Sequence, residues 1–155
     1  MNSMTTMVMS TQQEQAEELV ETFQMFDEWE DRYRFLIDLG DELPHFPEAA
    51  RTDANKVQGC QSNVWMIAEA QEKNGQAQIN FLADSDAHIV RGLIAILRRI
   101  YSGRSADEIL NYDIDGLLKQ LELDQHLSTG RRNGLSGMVA RIKNLAAQFA
   151  KPGVL

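Results

Sequence analysis

A single thiol, Cys60, stands in the run VQGCQSNVW from Val57 to Trp65, and it is the only cysteine of the chain. With no second thiol it cannot close an intramolecular disulfide, so any redox or sulfur chemistry at this position has to involve another molecule. Free cysteines commonly serve as small buried hydrophobes. Here the neighbours are Gly59, Gln61, Ser62 and Asn63, a polar, turn-forming run in place of the apolar flanks of a core strand or helix. The sequence therefore predicts Cys60 on a turn, where a sulfur atom can be presented while the adjoining strand holds it in place. Reactivity further requires thiolate character, supplied by nearby positive charge or backbone N–H groups.

The other chemistry-bearing residues are more scattered. His45, His88 and His126 fall on three separate segments, with no His-x-x-x-His or Cys-x-x-Cys spacing that would gather a metal. Folding can still bring His88 or His126 to Cys60, so a stand-alone cysteine-dependent enzyme stays open as an alternative. Asp84 and Asp86 could be paired acids. Their place just before a long apolar-periodic stretch favours helix capping instead. Arg98, Arg99, Arg131 and Arg132 read first as solvated surface. Arg131, in HLSTGRRNGL, is the one whose guanidinium could stabilise a thiolate or meet an acidic partner. There is neither a glycine-rich phosphate loop nor a Gly-x-Ser-x-Gly elbow.

These residues need elements to position them. Apolar residues at helical spacing predict one helix from Gln13 to about Phe26 and a second from Trp29 to Leu39, ended by Gly40. Pro44 and Pro47 then enforce an irregular connection. Val64–Ala70 and Gln76–Ala83 read as two strands joined at Asn74-Gly75, a strong hairpin signal, and Val57 to Gly59 offers a short edge strand. Asp84, Ser85 and Asp86 offer capping oxygens to a long helix whose buried stripe runs from Ile89 through Val90, Leu93, Ile94, Leu97 and Ile100 to Tyr101, with Gly103 as its stop. Two short helices follow, then a terminal helix from about Gly134 closed by Pro152 and Gly153. The predicted class is α+β, a small antiparallel sheet flanked by helices from both ends of the chain.

With 155 residues and 43% hydrophobic content, the chain is the size of one compact domain. Residues 1–12 read as a loose leader and 13–155 as the domain. The net charge of −8 argues against nucleic acid and anionic membrane as primary partners. No apolar run has the length to span a bilayer, and the N-terminal residues lack a signal-peptide pattern, so a cytoplasmic location is expected.

Three segments together resemble the SufE family of sulfur acceptors, which includes the related CsdE proteins. They are VQGCQSNVW from Val57, GQAQINFLADSDAHIVRGLIAIL from Gly75 to Leu97, and QHLSTGRRNGL from Gln125 to Leu135. WEDRYRFLIDLGDELP adds to the likeness, which covers Phe26 to Phe149. The resemblance implies the fold of the iron-sulfur scaffold proteins, with Cys60 on a loop beside the sheet in a partly apolar hollow. It implies that Cys60 accepts sulfur from a pyridoxal-phosphate-dependent cysteine desulfurase of the SufS or CsdA type. The chain would stimulate that enzyme and hand the sulfur to iron-sulfur cluster assembly or a related pathway, as a carrier and activator that is not self-sufficient. The pyridoxal cofactor belongs to the partner, and no cofactor is expected on this chain. A homodimer is implied as well.

Within that resemblance, Arg131 matches an arginine of the family's corresponding loop and is expected to support the thiolate, as are the backbone N–H groups from Gly59 through Gln61 to Ser62. Gly59 is expected to permit a tight turn or a close approach, and Trp65 to anchor the loop by packing. A single thiolate suits a carrier better than a cluster scaffold, which needs several. The remaining alternative is a non-catalytic adaptor of a desulfurase complex in which Cys60 is incidental.

Overall fold

Thr11 accepts a hydrogen bond from the N–H of Glu14 at 3.1 Å while the Glu14 carboxylate accepts from the Thr11 N–H at 2.8 Å, a capping box that starts helix α1 (Gln12–Gln24). The computed structural model describes residues 11–73 and 75–150, so most of the expected leader, and the Pro152-Gly153 stop, lie outside the described residues. Gln12 belongs to the helix and not to the leader. Helix α2 (Trp29–Asp41) follows after a short turn. Gly40 does not end it: this glycine is buried within its last turn, where an added Cβ would lie 2.8 Å from the backbone of the next long helix.

The connection carrying Pro44 and Pro47 folds into two single turns of 3₁₀ helix, Glu48–Ala50 and Asp53–Asn55. Strands β1 (Val64–Lys73) and β2 (Gln76–Ser85) then pair antiparallel, with Val64 opposite Ser85 and Lys73 opposite Gln76. Asn74 lies outside the described residues; Gly75 has φ +78°, the left-handed conformation expected of a hairpin glycine. Val57 to Gly59 does not form a third strand. In its place are an isolated bridge between Lys56, just before the segment, and Trp65, and one bond from Val57 N–H to the Val64 carbonyl at 2.9 Å.

Helix α3 (His88–Tyr101) is the centre of the core. Of its predicted stripe Val90, Leu93, Ile94, Leu97, Ile100 and Tyr101 are buried, while Ile89, in the first turn, is only half-buried. The carboxylates before it do not cap it. The N-cap is Ala87, with no side-chain cap, and Asp84 instead pairs with Arg51 and with Arg91, the latter at 2.9 Å. Two guanidiniums, Arg51 from the proline-containing connection and Arg91 from α3 itself, hold that carboxylate by charge-assisted hydrogen bonds. Beyond Gly103, with φ +81°, come three short helices where two are predicted: α4 (Ala106–Asn111), α5 (Ile114–Gln120) and α6 (Leu123–His126). The terminal helix α7 (Thr129–Ala150) starts a turn earlier than its apolar stripe suggests.

One face of the hairpin (Val64, Met66, Ile79, Phe81, Ala83) packs with α3, with Leu19 and Phe23 of α1 and with Met138 and Ile142 of α7 in one continuous apolar cluster. Burying each of the larger side chains among these contributes about 2 kcal/mol. The architecture is α+β, as predicted, with one small antiparallel sheet and helices from both ends of the chain around it. The arrangement leaves the segment between the second 3₁₀ turn and β1 lying along α7.

Candidate functional site

That segment carries Cys60, and it is fixed to its surroundings at both ends. At its start, Arg141 of α7 donates to the carbonyls of Ala54 at 3.2 Å and Lys56 at 3.4 Å. At its end, the Asp86 carboxylate accepts from the N–H and the side-chain amide of Asn63 at 3.2 and 2.9 Å. Between the clamps the backbone turns through Gly59, whose φ of +87° is the left-handed conformation that other residues rarely adopt. The open space around Gly59 assigns this glycine to the turn and not to a close approach.

Helix α7 meets the loop with a row of glycines one or two turns apart. A Cβ at Gly137 would lie 2.6 Å from the Gln58 carbonyl, one at Gly134 3.5 Å from the Cys60 sulfur, and one at Gly130 2.2 Å from the Gln61 side chain. Gly130, Gly134, Gly137 and Arg141 thus follow one face of the helix and meet residues 61, 60, 58 and 56 in reverse order. Glycine lowers helix propensity, which is why the first turns of α7 read as loop in the sequence. Packing repays that deficit by letting the loop lie against the helix backbone.

Cys60 is half-buried, and its thiol lies 3.6 Å from the Gly134 carbonyl, which accepts its weak S–H bond. Burial pushes the Cys60 thiol up from its ordinary pKa, because the charged form loses solvation there. In this conformation the environment favours the neutral thiol. The sulfur borders a hollow of about 240 Å³ with Val64, Val90, Leu93 and Met138 on its apolar side and Gln61, Ser62, Ser128 and Arg131 on its polar side. Arg131 lies in the first turn of α7, not in a loop, and its N–H donates to the Ser128 hydroxyl at 3.3 Å. Among the described residues no carboxylate pairs with its guanidinium, so that charge is available at the mouth of the hollow.

Trp65 belongs to the opposite face of the sheet. The Arg51 guanidinium sits 5.0 Å over its ring and also pairs with Asp84, tying the proline-containing connection to both strands. The tryptophan therefore anchors the strand after the loop and does not line the hollow. The histidines are elsewhere: His126 stacks on Trp29 with ring centroids 3.8 Å apart, and none of the three borders the Cys60 hollow. A Cys-His pair of the hydrolase type is not assembled. Among the described residues no group of His, Cys, Asp and Glu is arranged to hold a metal, and no helix is long and apolar enough to cross a membrane.

Sequence reading missed Arg141, the Asn63–Asp86 clamp and the glycine row. Of these only the glycines carried a signal, their spacing of four and then three residues, the period of one helix face.

The fold and site together define a class of protein: a small α+β domain that shelters one thiol on a clamped loop beside an apolar hollow. The chain belongs to the SufE family, since residues 17–146 match the model described as "SufE: Fe-S metabolism associated domain". An uncharacterized SufE-like protein of Rhizobium meliloti is 46% identical over 130 residues, 84% of this chain and 93% of that one. A second, of Rhizobium etli, is 43% identical over 130 residues, 84% and 88% of the two chains. The solution structure of a hypothetical protein from Thermus thermophilus superposes with a TM-score of 0.66 over 86% of this chain and 94% of the other. At 18% identity it bears on the fold alone.

Proposed function

We propose that Cys60 accepts sulfur from the persulfide of a pyridoxal-phosphate-dependent cysteine desulfurase and passes it on to iron-sulfur cluster assembly in the cytoplasm. Membership of a family associated with Fe-S metabolism supports the pathway. The observation that carries the mechanism is the setting of the thiol, half-buried on a clamped loop and bordering a hollow wide enough for an added sulfur atom.

The step itself is an exchange. The Cys60 thiolate attacks the outer sulfur of the donor persulfide, a new S–S bond forms on Cys60, the donor's S–S bond breaks, and the donor leaves as a thiolate. One S–S bond replaces another, so no external oxidant or reductant is needed. Attack on the inner sulfur would instead join the two proteins by a disulfide, so the angle of approach decides the outcome. Orientation of the loop by the partner is therefore the chief contribution of this chain to the rate.

In the free chain burial favours the neutral thiol, which is turned toward Gly134. The partner must draw the loop away from α7, and Arg131, at the mouth of the hollow, then supplies the positive charge that favours the thiolate. After transfer, return of the loop places the outer sulfur in the apolar side of the hollow, away from oxidants and small thiols. The test is the rate of sulfide release by a cognate desulfurase with saturating L-cysteine and reductant. Wild-type chain raises the turnover and Cys60→Ser does not; equal stimulation by the two would replace the carrier by a simple adaptor.

A further inference from the structure

Met138 lies on α7 one turn beyond Gly134 and is buried, with 1% of its surface exposed. Side chains on a helix lean back over the preceding turn, so its thioether reaches toward the level of Gly134, which has no side chain to occupy that space. The Cys60 sulfur comes to within 3.5 Å of where a Gly134 Cβ would lie. Met138 has room on two sides. In front is the Cys60 hollow. Behind is a small void of about 10 Å³ whose wall includes Met66, Phe81, Ala83 and Leu97. Of the four apolar residues on the hollow, Val64, Val90, Leu93 and Met138, only Met138 also borders this void. It is also the one unbranched side chain of the four, with three rotatable bonds and a polarizable sulfur that adapt to irregular gaps.

An added sulfur changes what this corner must hold. The Cys60 thiol faces the Gly134 carbonyl across 3.6 Å. An S–S bond is about 2.05 Å long, so an outer sulfur aimed the same way would be driven into that oxygen. It has to swing either to the mouth, beside Ser128 and Arg131, or inward against Met138. We propose that Met138 is a movable floor: it draws back toward the void and seats the outer sulfur of a Cys60 persulfide on the inward side, away from small thiols. Met138 shapes the seat and takes no part in the bond exchange. The inference rests on the reading of Cys60 as a sulfur carrier.

The test loads the persulfide chemically and so stands apart from any desulfurase. A mixed disulfide of Cys60 with a small thiol is treated with sulfide; hydrosulfide attacks the Cys60 sulfur, the small thiol leaves, and intact mass verifies one added sulfur. Two rates are then measured for each variant: loss of the added sulfur to dithiothreitol, and alkylation of the unloaded thiol by iodoacetamide, which reports opening of the loop. Their ratio removes any general loosening of the fold. Met138→Leu, shorter and branched, raises the ratio several-fold over wild type. Ala83→Val fills the void without touching the hollow, and it raises the ratio as well. Met138→Ala leaves the inward seat open and keeps the ratio near that of wild type. A ratio unchanged by Met138→Leu or by Ala83→Val overturns the proposal, and so does one that Met138→Ala raises as far as Met138→Leu. Loading by a desulfurase enters neither rate, so a failure there counts against the carrier reading and not against the seat.

Discussion

Cys60 sits where its neutral form is favoured, and the pH dependence of its reactivity follows from that. Burial raises the thiol's pKa, so alkylation of the free chain by a small reagent is slow at neutral pH and reaches half its limiting rate above the pH at which an unstructured thiol does. The linkage has a definite sign. A group whose pKa is raised on folding adds stability below its unfolded value and loses it as pH rises through the folded one. Cys60→Ser should therefore flatten part of the alkaline fall in urea midpoint, which a pH series of unfolding curves checks. Arg141→Gln removes two bonds from the start of the loop, each worth about 1 kcal/mol. It should speed Cys60 alkylation at fixed pH by up to about thirtyfold, the equivalent of about 2 kcal/mol, while leaving the far-ultraviolet dichroism unchanged.

Elements differ in how much of themselves the chain announces. Helix α3 was legible because its buried stripe keeps helical period over its whole length, and the hairpin because its strands flank Gly75. The beginning of α7 was not. Gly130, Gly134 and Gly137 lower local helix propensity, and what recovers the loss is contact with a loop some seventy residues earlier in the chain. The carboxylates before α3 were misread for a similar reason, since capping is a local rule and Asp84 is claimed by Arg51 from across the fold.

Two predictions belong at this scale. Gly137→Ala drives a methyl into the Gln58 carbonyl, so it should expose the Cys60 loop to hydrogen exchange. Gly130→Ala meets only the movable end of Gln61 and should be tolerated, with up to about 1 kcal/mol of helix propensity gained. Asp84 is the second case. Burial alone would raise its pKa, but the hydrogen bond from Arg51, the Ser85 N–H and the charge of Arg91 together lower it. A lowered carboxylate adds stability above its unfolded pKa and loses it as pH falls through the folded one. Asp84→Asn should thus lower the urea midpoint at pH 7 and lose less on acidification than the wild type.

At the scale of the whole molecule, the single apolar cluster joins α1, α3, α7 and the hairpin, so the wall of the Cys60 hollow is the wall of the core. Val64, Leu93 and Met138 serve both. Leu93→Ala should cost about 2–5 kcal/mol in global stability and also enlarge the hollow, whereas the loop substitutions act chiefly on local opening and leave the unfolding midpoint much less changed. The lone cysteine on a polar turn was visible in the sequence, and so was the α+β class. The clamps, the glycine face and the burial that raises the thiol's pKa were not, because each depends on residues far apart in the chain.

Carriage of sulfur by Cys60, as proposed, is read by intact mass without any downstream pathway. The chain, as wild type and as Cys60→Ser, is incubated with an active cysteine desulfurase, pyridoxal phosphate and L-cysteine in the absence of reductant, then weighed. The wild type should gain one sulfur atom, reversed by a thiol reductant, and Cys60→Ser none. An unchanged wild-type mass beside a desulfurase shown to be turning over would contradict it.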